Sequence, residues 1–442
     1  MEIKKISEFI TLEFETNSND YSEWFGYYNY DTLNHDQTKM LCGRSKYEAV
    51  RPEKGMVIEL GYYDLSTGTW HHIGESDSWN WPQGSMLQWI PGSGNENKVI
   101  FNCSKNNHII SRIHDISTEE DRDIDWPIYV LTPNGKKSIA INMERAYWCR
   151  TYHYQSVVNK QYDVAIAEDD GIFEIDLEKN TKKRIITIQD VISIDADDSF
   201  KKAKHWLEHI MISPSGKRIC FLHRFAYGDV YHYATRLCIA NSDGSDLRVV
   251  EGWRKYRWSH FGWKGDDEFC IYTYPITKYD NPISIKNAIS KIDVKSAFEY
   301  LKRYLSNILP RDLRLRVQKR YPGYQQYTIQ HNSEIELLDF YQGGLFIIDG
   351  HPSFTKDQRY MVTDTYADPQ KYRNLLVYDT ITKKSVLLAK LQEPLVGNPA
   401  RCDFHPKLCK NNDYIVIDTT YTGKHRMIMF KIDWESVKKA LS

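Results

Sequence analysis

Short apolar runs separated by polar turns of Asn, Asp, Gly, Ser and Lys recur along the whole chain, with the alternation expected of half-buried β-strands. A first set comprises Ile6 to Phe14, Lys39 to Cys42, Met56 to Leu65 and Trp70 to Ile73, with the aromatic stretch Trp24-Phe-Gly-Tyr-Tyr between the first two. A second runs through Leu87 to Ile90, Lys98 to Cys103 and Ile109 to Ile116, and a third from Ile128 to Ile188. Four later stretches align without a gap: His209 to Ile219, His260 to Cys270, His351 to Met361 and His405 to Ile415. In each, a histidine leads a short strand, a polar turn follows and a second hydrophobic strand begins. Strand sets at intervals of roughly 45 to 60 residues are the signature of a β-propeller. The chain therefore reads as all-β, a single seven-bladed propeller over residues 1–442. The last set has three clear strands, so Ile6 to Phe14 is expected to supply the fourth and close the ring.

One segment breaks the rhythm. Within residues 275–326, in the fifth blade, Val294, Phe298, Leu301, Leu305 and Ile308 recur at helical spacing, and Pro310 ends the run. Arg311, Arg314, Arg316, Lys319 and Arg320 follow. This helical insertion is either a basic lid for an acidic ligand or a solvated decoration, through which the chain could form a homo-oligomer.

Composition narrows the function classes. Basic and acidic residues number 58 and 59, which excludes the electrostatic footprint of a nucleic-acid binder. No apolar run is long enough to span a membrane, and the N-terminus lacks the apolar core of a secretory signal, so a cytoplasmic location with no membrane partner is expected. The eight cysteines include no CxxC pair and several lie in apolar strands, consistent with reduced, buried thiols. Aromatic residues make up 13% of the chain, which suits strand packing and stacking on sugar rings.

If each histidine lies on the innermost strand of its blade, four neighbouring blades aim imidazoles at one volume of the central channel. Strand alternation adds Asp403 to the face of His405, and Asp349 to that of His351. Imidazole with carboxylate is a donor set for Mn²⁺, Zn²⁺ or another divalent ion, with His260, His351, Asp403 and His405 as candidate ligands. The alternative is that each histidine fixes packing between blades, but Ile128 at the matching position of the third blade shows that the fold does not require histidine there. His223 and Arg224 are candidates to approach the same mouth and bind substrate. Arg145 and Arg150 are candidates to pair with a carboxylate.

The stretches His209 to Arg224, Asn241 to Val250, Ser259-His-Phe, Gly350-His-Pro-Ser-Phe and Asp403-Phe-His-Pro resemble the oligogalacturonate lyase family, cytoplasmic seven-bladed propellers that cleave pectin oligomers by β-elimination. The resemblance implies a Mn²⁺ cofactor held by His260 and His405 with His351 close by, and His209 as the Brønsted base. Two positions depart from the family pattern. Asp403 stands where the family has a second histidine, and Gly171 falls where a family arginine is expected, leaving that role to Arg145 or Arg150. The chain is therefore expected to be a metal-dependent lyase of uronic-acid-containing oligosaccharides. A non-catalytic glycan- or protein-binding propeller and a metal-dependent hydrolase use the same residues and stand as alternatives.

Overall fold

The computed structural model describes residues 4–48, 50–145, 154, 156–157, 161, 164–196, 198, 200–226, 233–276, 322–331, 334–397, 401–409 and 411–442. The strands form seven antiparallel sheets in succession, the blades of a seven-bladed β-propeller. Each blade opens on a strand beside the central channel: Ser22–Trp24, Gln88–Trp89, Val130–Leu131, Lys204–Ile212, Tyr256–Trp263, Ser353–Phe354 and Lys407–Leu408. From blade three to blade seven, these first strands contact their neighbours around the ring.

The apolar pattern dictates the layering. Middle strands such as Arg218–Ala226 and Tyr372–Asp379 are buried along their whole length, packed between adjacent blades. Outer strands such as Glu120–Ile124 are mostly exposed and correspondingly charged. A strand sandwiched on both faces carries an apolar centre, such as Ile219 to Leu222 or Leu375 to Tyr378, and must pair any polar residue at its ends, whereas an edge strand can be charged throughout.

The ring closes as expected in principle and differently in detail. Ile10–Glu15 pairs with Arg426–Ile432 and completes blade seven. Lys4–Ile6 instead pairs with Ser385–Gln392 and becomes a fifth strand of blade six. The apolar run of Ile6 to Phe14 is thus broken by a turn at Glu8 and Phe9 and staples two blades together, placing Ile6, Phe9 and Ile10 in one core cluster. The first blade correspondingly begins at Ser22–Trp24. A terminal helix, Trp434–Leu441, is capped by Asp433, which accepts from the Glu435 and Ser436 amides, and buries Val437 and Leu441 in the same cluster.

Of the helical insertion expected over residues 275–326, residues 277–321 lie outside the described residues, whereas its last residues belong to the strand Gly323–Ile329. Glu268–Pro275 and Gly323–Ile329 on either side of it pair as neighbouring strands.

Candidate metal centre

The four histidines of the repeat are delivered to the channel in two ways. His209 and His260 do not lead their strands but sit inside them, at bulges where the pairing register shifts between Glu208 and Met211 and between Trp258 and Phe261. A bulge re-aims a side chain that regular pleating would point elsewhere. His351 and His405 stand just before their short first strands. His209 and His405 also hold left-handed backbone, with φ of 51° and 45°. That conformation costs a non-glycine residue about 1–3 kcal/mol, and such strain collects at functional sites.

The imidazoles form an arc. Ring centroids are 6.5 Å apart from His209 to His260, 4.1 Å from His260 to His351 and 4.3 Å from His351 to His405. The aromatic stretch after Trp24 fills the channel against them. Tyr27 stacks on His209 at 5.1 Å, and Tyr28 packs on His351 at 5.0 Å while its hydroxyl donates to the Phe261 carbonyl. Asp418 ties this plug to blade seven by accepting from the Phe25 and Gly26 amides and from Lys407.

Hydrogen bonds assign the imidazole tautomers. His351 Nδ1 lies 2.8 Å from Asp364, His405 Nδ1 3.1 Å from the Gly26 carbonyl and His260 Nδ1 3.2 Å from Asp349. Each Nδ1 therefore carries the proton and each Nε2 a lone pair, the arrangement that orients metal-binding histidines. His351 Nε2 is fully buried without a hydrogen-bond partner among the described residues, a costly state that a metal ion would relieve. His351, Asp403 and His405 bring one ligand atom each within 4.8 Å of one another. His260 is adjacent to this trio rather than part of it, because its Nε2 is turned to the Tyr366 hydroxyl at 3.2 Å.

Electrostatics keep this donor set available. Burial holds His351 and His405 well below the ordinary histidine pKa, helped by His260 at the first and by His351 at the second and opposed by Asp403 at both, so both are neutral. Burial would push the Asp403 carboxyl up, but Arg401 and Arg373 outweigh it and hold Asp403 well below the usual range. Burial pushes Asp364 up to about 6, against the pull of His405 and Arg373. Neutral imidazoles suit Zn²⁺ and an ionised carboxylate suits Mn²⁺, so the mixed donor set present fits a divalent ion of this kind. Asp349 joins His260 rather than His351, contrary to the expectation from strand alternation.

His209 lies at the other end of the arc. Its Nε2 is 3.3 Å from Glu208, and its Nδ1 is 3.3 Å from the Gln83 amide nitrogen. Glu208 is itself held by Arg224 at 2.6 Å and by the Trp206 indole at 2.7 Å. Burial lowers the His209 pKa to about 4, with Glu208 pulling it up and Arg224 pushing it down. Arg224 thus reaches the cluster only through Glu208.

The structure does not bring the remaining candidates to the cluster. His223 is fully buried in blade four, 2.9 Å from His205 Nδ1, with Arg236 at 3.4 Å on its other nitrogen. It faces the body of its blade because the i,i+1 alternation that exposes Arg224 to Glu208 sends its neighbour to the opposite face. Arg145 donates to the carbonyls of Gln161, Val164 and His205 and pairs with Asp170 at 3.1 Å, a fastener between blades three and four. Arg150 lies outside the described residues. Gly171 pairs with Thr187 in blade three, with φ of 157°.

The His205 and His223 pair predicts a pH dependence of stability. Burial depresses both pKa values, with Arg236 adding to it at each. Both are neutral in the fold and ordinary histidines of pKa about 6.5 when unfolded. Their contribution is complete above that value and is lost as pH falls below it, because the unfolded chain then binds more protons. Urea titrations are expected to give a lower midpoint at pH 5.5 than at 7.5, with a smaller difference in His223→Gln.

Tyr27, Tyr28, Asp364, Tyr366, Arg373 and Arg401 belong to the site and escaped the reading of the sequence. One signal was available for the acids: Asp364 and Asp418 occupy the same column, thirteen residues beyond His351 and His405.

No known family model and no curated protein matches this chain in sequence. Solved structures match it in fold. An oligogalacturonate lyase from Vibrio parahaemolyticus aligns over 95% of this chain and 93% of its own, with a TM-score of 0.58 and 14% identity. An oligogalacturonate lyase in complex with manganese aligns over 95% and 92%, with a TM-score of 0.58 and 15% identity. At this identity the likeness is one of fold. Among the described residues no helix is long and apolar enough to cross a membrane.

Proposed function

We propose that this chain is a metal-dependent lyase that cleaves uronic-acid-containing oligosaccharides by β-elimination. The observation that carries the reading is the set of three imidazoles on blades five, six and seven whose Nδ1 atoms are anchored, with the His351 Nε2 buried and without a partner among the described residues. The distant structural likeness to a manganese-bound oligogalacturonate lyase supports it.

His351, His405 and Asp403 would hold the ion, with His260 beside them. A divalent cation there would polarise the substrate carboxylate and so acidify the proton on C5. His209 is the base. Its Nε2 proton points at Glu208, which leaves the Nδ1 lone pair to take the C5 proton once the Gln83 amide has moved aside, and Glu208 stabilises the imidazolium that forms. The C5–H electron pair becomes the C4–C5 double bond as the C4–O bond breaks, and the leaving oxygen keeps that bond's electron pair and takes a proton from water. The seven described cysteines are unpaired and buried, which supports a reducing, cytoplasmic setting.

Incubation with Mn²⁺ and galacturonate oligomers tests the proposal. A rise in ultraviolet absorbance from unsaturated uronide is expected, and its loss together with bound metal in the His260→Ala/His405→Ala double variant. New reducing ends without that absorbance would replace lyase by hydrolase. Thermal stabilisation by the oligomers without turnover would replace it by a binding propeller.

A further inference from the structure

Asp403 is held the way a bound carboxylate would be. Arg401 donates from Nε and Nη2 to Oδ2 at 2.9 and 2.6 Å, and Nε also reaches Oδ1 at 3.1 Å, the forked geometry that guanidinium offers to carboxylate. Arg373 grips Oδ1 from the other side at 2.7 Å. Two guanidiniums thus share one acid.

Their surroundings differ. The Arg373 side chain is 2% exposed, whereas that of Arg401 is 38% exposed. The Arg401 guanidinium lies 4.5 Å from the centre of the Tyr366 ring and donates to the Tyr366 hydroxyl at 2.8 Å, and that hydroxyl meets His260. Arg401 therefore stands between solvent and the histidine cluster. Arg373 by itself keeps Asp403 paired, so Arg401 is the cation that an incoming acid can recruit without stranding a buried charge.

We propose that Arg401, backed by the face of Tyr366, is a carboxylate-binding subsite that anchors the acid group of a sugar uronate at the mouth of the cluster. The inference rests on the uronide reading and specifies which residue recognises the acid. Two parallel N–H bonds would select the free acid over its ester and over the neutral sugar, which offer no anion to the fork.

Calorimetric titration with D-galacturonic acid, its methyl ester and D-galactose tests this, because a monosaccharide has no bond to eliminate. The wild-type protein is expected to prefer the free acid to the ester. Arg401→Met is expected to weaken acid binding by about ten- to a hundredfold and leave ester binding nearly unchanged. Arg401→Lys keeps the charge without the fork and is expected to fall between. Unchanged acid affinity in Arg401→Met, or equal affinity of the wild type for acid and ester, would overturn the subsite. Should Arg401→Met fail to fold, Arg401→Lys and the acid-to-ester comparison in the wild type decide. The two proposals fail separately. Arg401-dependent acid binding with no unsaturated product from oligomers keeps the subsite and removes the lyase. Product formation with Arg401-independent binding does the reverse.

Discussion

Replacing His351 with alanine is expected to abolish retention of a divalent ion by the purified protein. His351 is the middle imidazole of the arc, within 4.3 Å of its neighbours on both sides by ring centroid, and is fully buried. Its Nδ1 proton is committed to Asp364 and its Nε2 has no partner among the described residues, which suits that lone pair to a metal ion. Structural zinc sites in small domains bind with about 10–16 kcal/mol, so losing one of the three ligands here is expected to cost at least about a hundredfold in affinity. Asp364→Asn removes only the group that orients the ring and is expected to weaken binding by about 10- to 100-fold. Elemental analysis of purified protein and Mn²⁺ titration check both. One tightly held ion per chain in His351→Ala would show that the cluster is not the metal site.

The second large effect is expected at Arg224, where substitution by methionine should destabilise the fold by about 3–5 kcal/mol. Arg224 and Glu208 are each 5% exposed and paired at 2.6 Å, so removing the cation strands a buried carboxylate beside His209. The double variant Glu208→Gln/Arg224→Met is expected to recover most of the loss, since a pair removed together leaves no lone charge. Denaturant midpoints of the single and double variants give the coupling directly. The single variant is also expected to raise the pKa of His209 from its value of about 4, because Arg224 opposes its protonation while Glu208 favours it. A titration of the His209 ring by NMR reads that shift, and a pKa that does not move would place Arg224 outside the electrostatics of His209.

The histidine column shows how far each level reaches. Repetition of His209, His260, His351 and His405 ahead of turn and strand was enough to place them on one wall of a channel, because blades are equivalent by construction and a residue at a repeated position returns to a repeated place. Asp403 was reached by strand alternation from His405, an argument that misplaced Asp349. Arg145 and His223 looked equally eligible, yet they are spent on backbone carbonyls and on a buried histidine pair. Nothing local distinguishes an arginine aimed at a channel from one that fastens two blades.

What the sequence determined by itself is the propeller. Alternating apolar runs, polar turns and a final set one strand short specify blades and a closing strand, because burial on two faces and the avoidance of free edges act residue by residue along the chain. What only the tertiary structure decided is the site's inner surface. Tyr27 and Tyr28 arrive from blade one, the partners that orient the imidazoles come from Gly26, Asp349 and Asp364, and Arg373 and Arg401 converge on Asp403. The Asp364 contact lies within one blade and repeats with the column, but the contacts of Gly26, Tyr27 and Tyr28 join blade one to blades four, six and seven, and no periodicity along the chain encodes a distance across a channel.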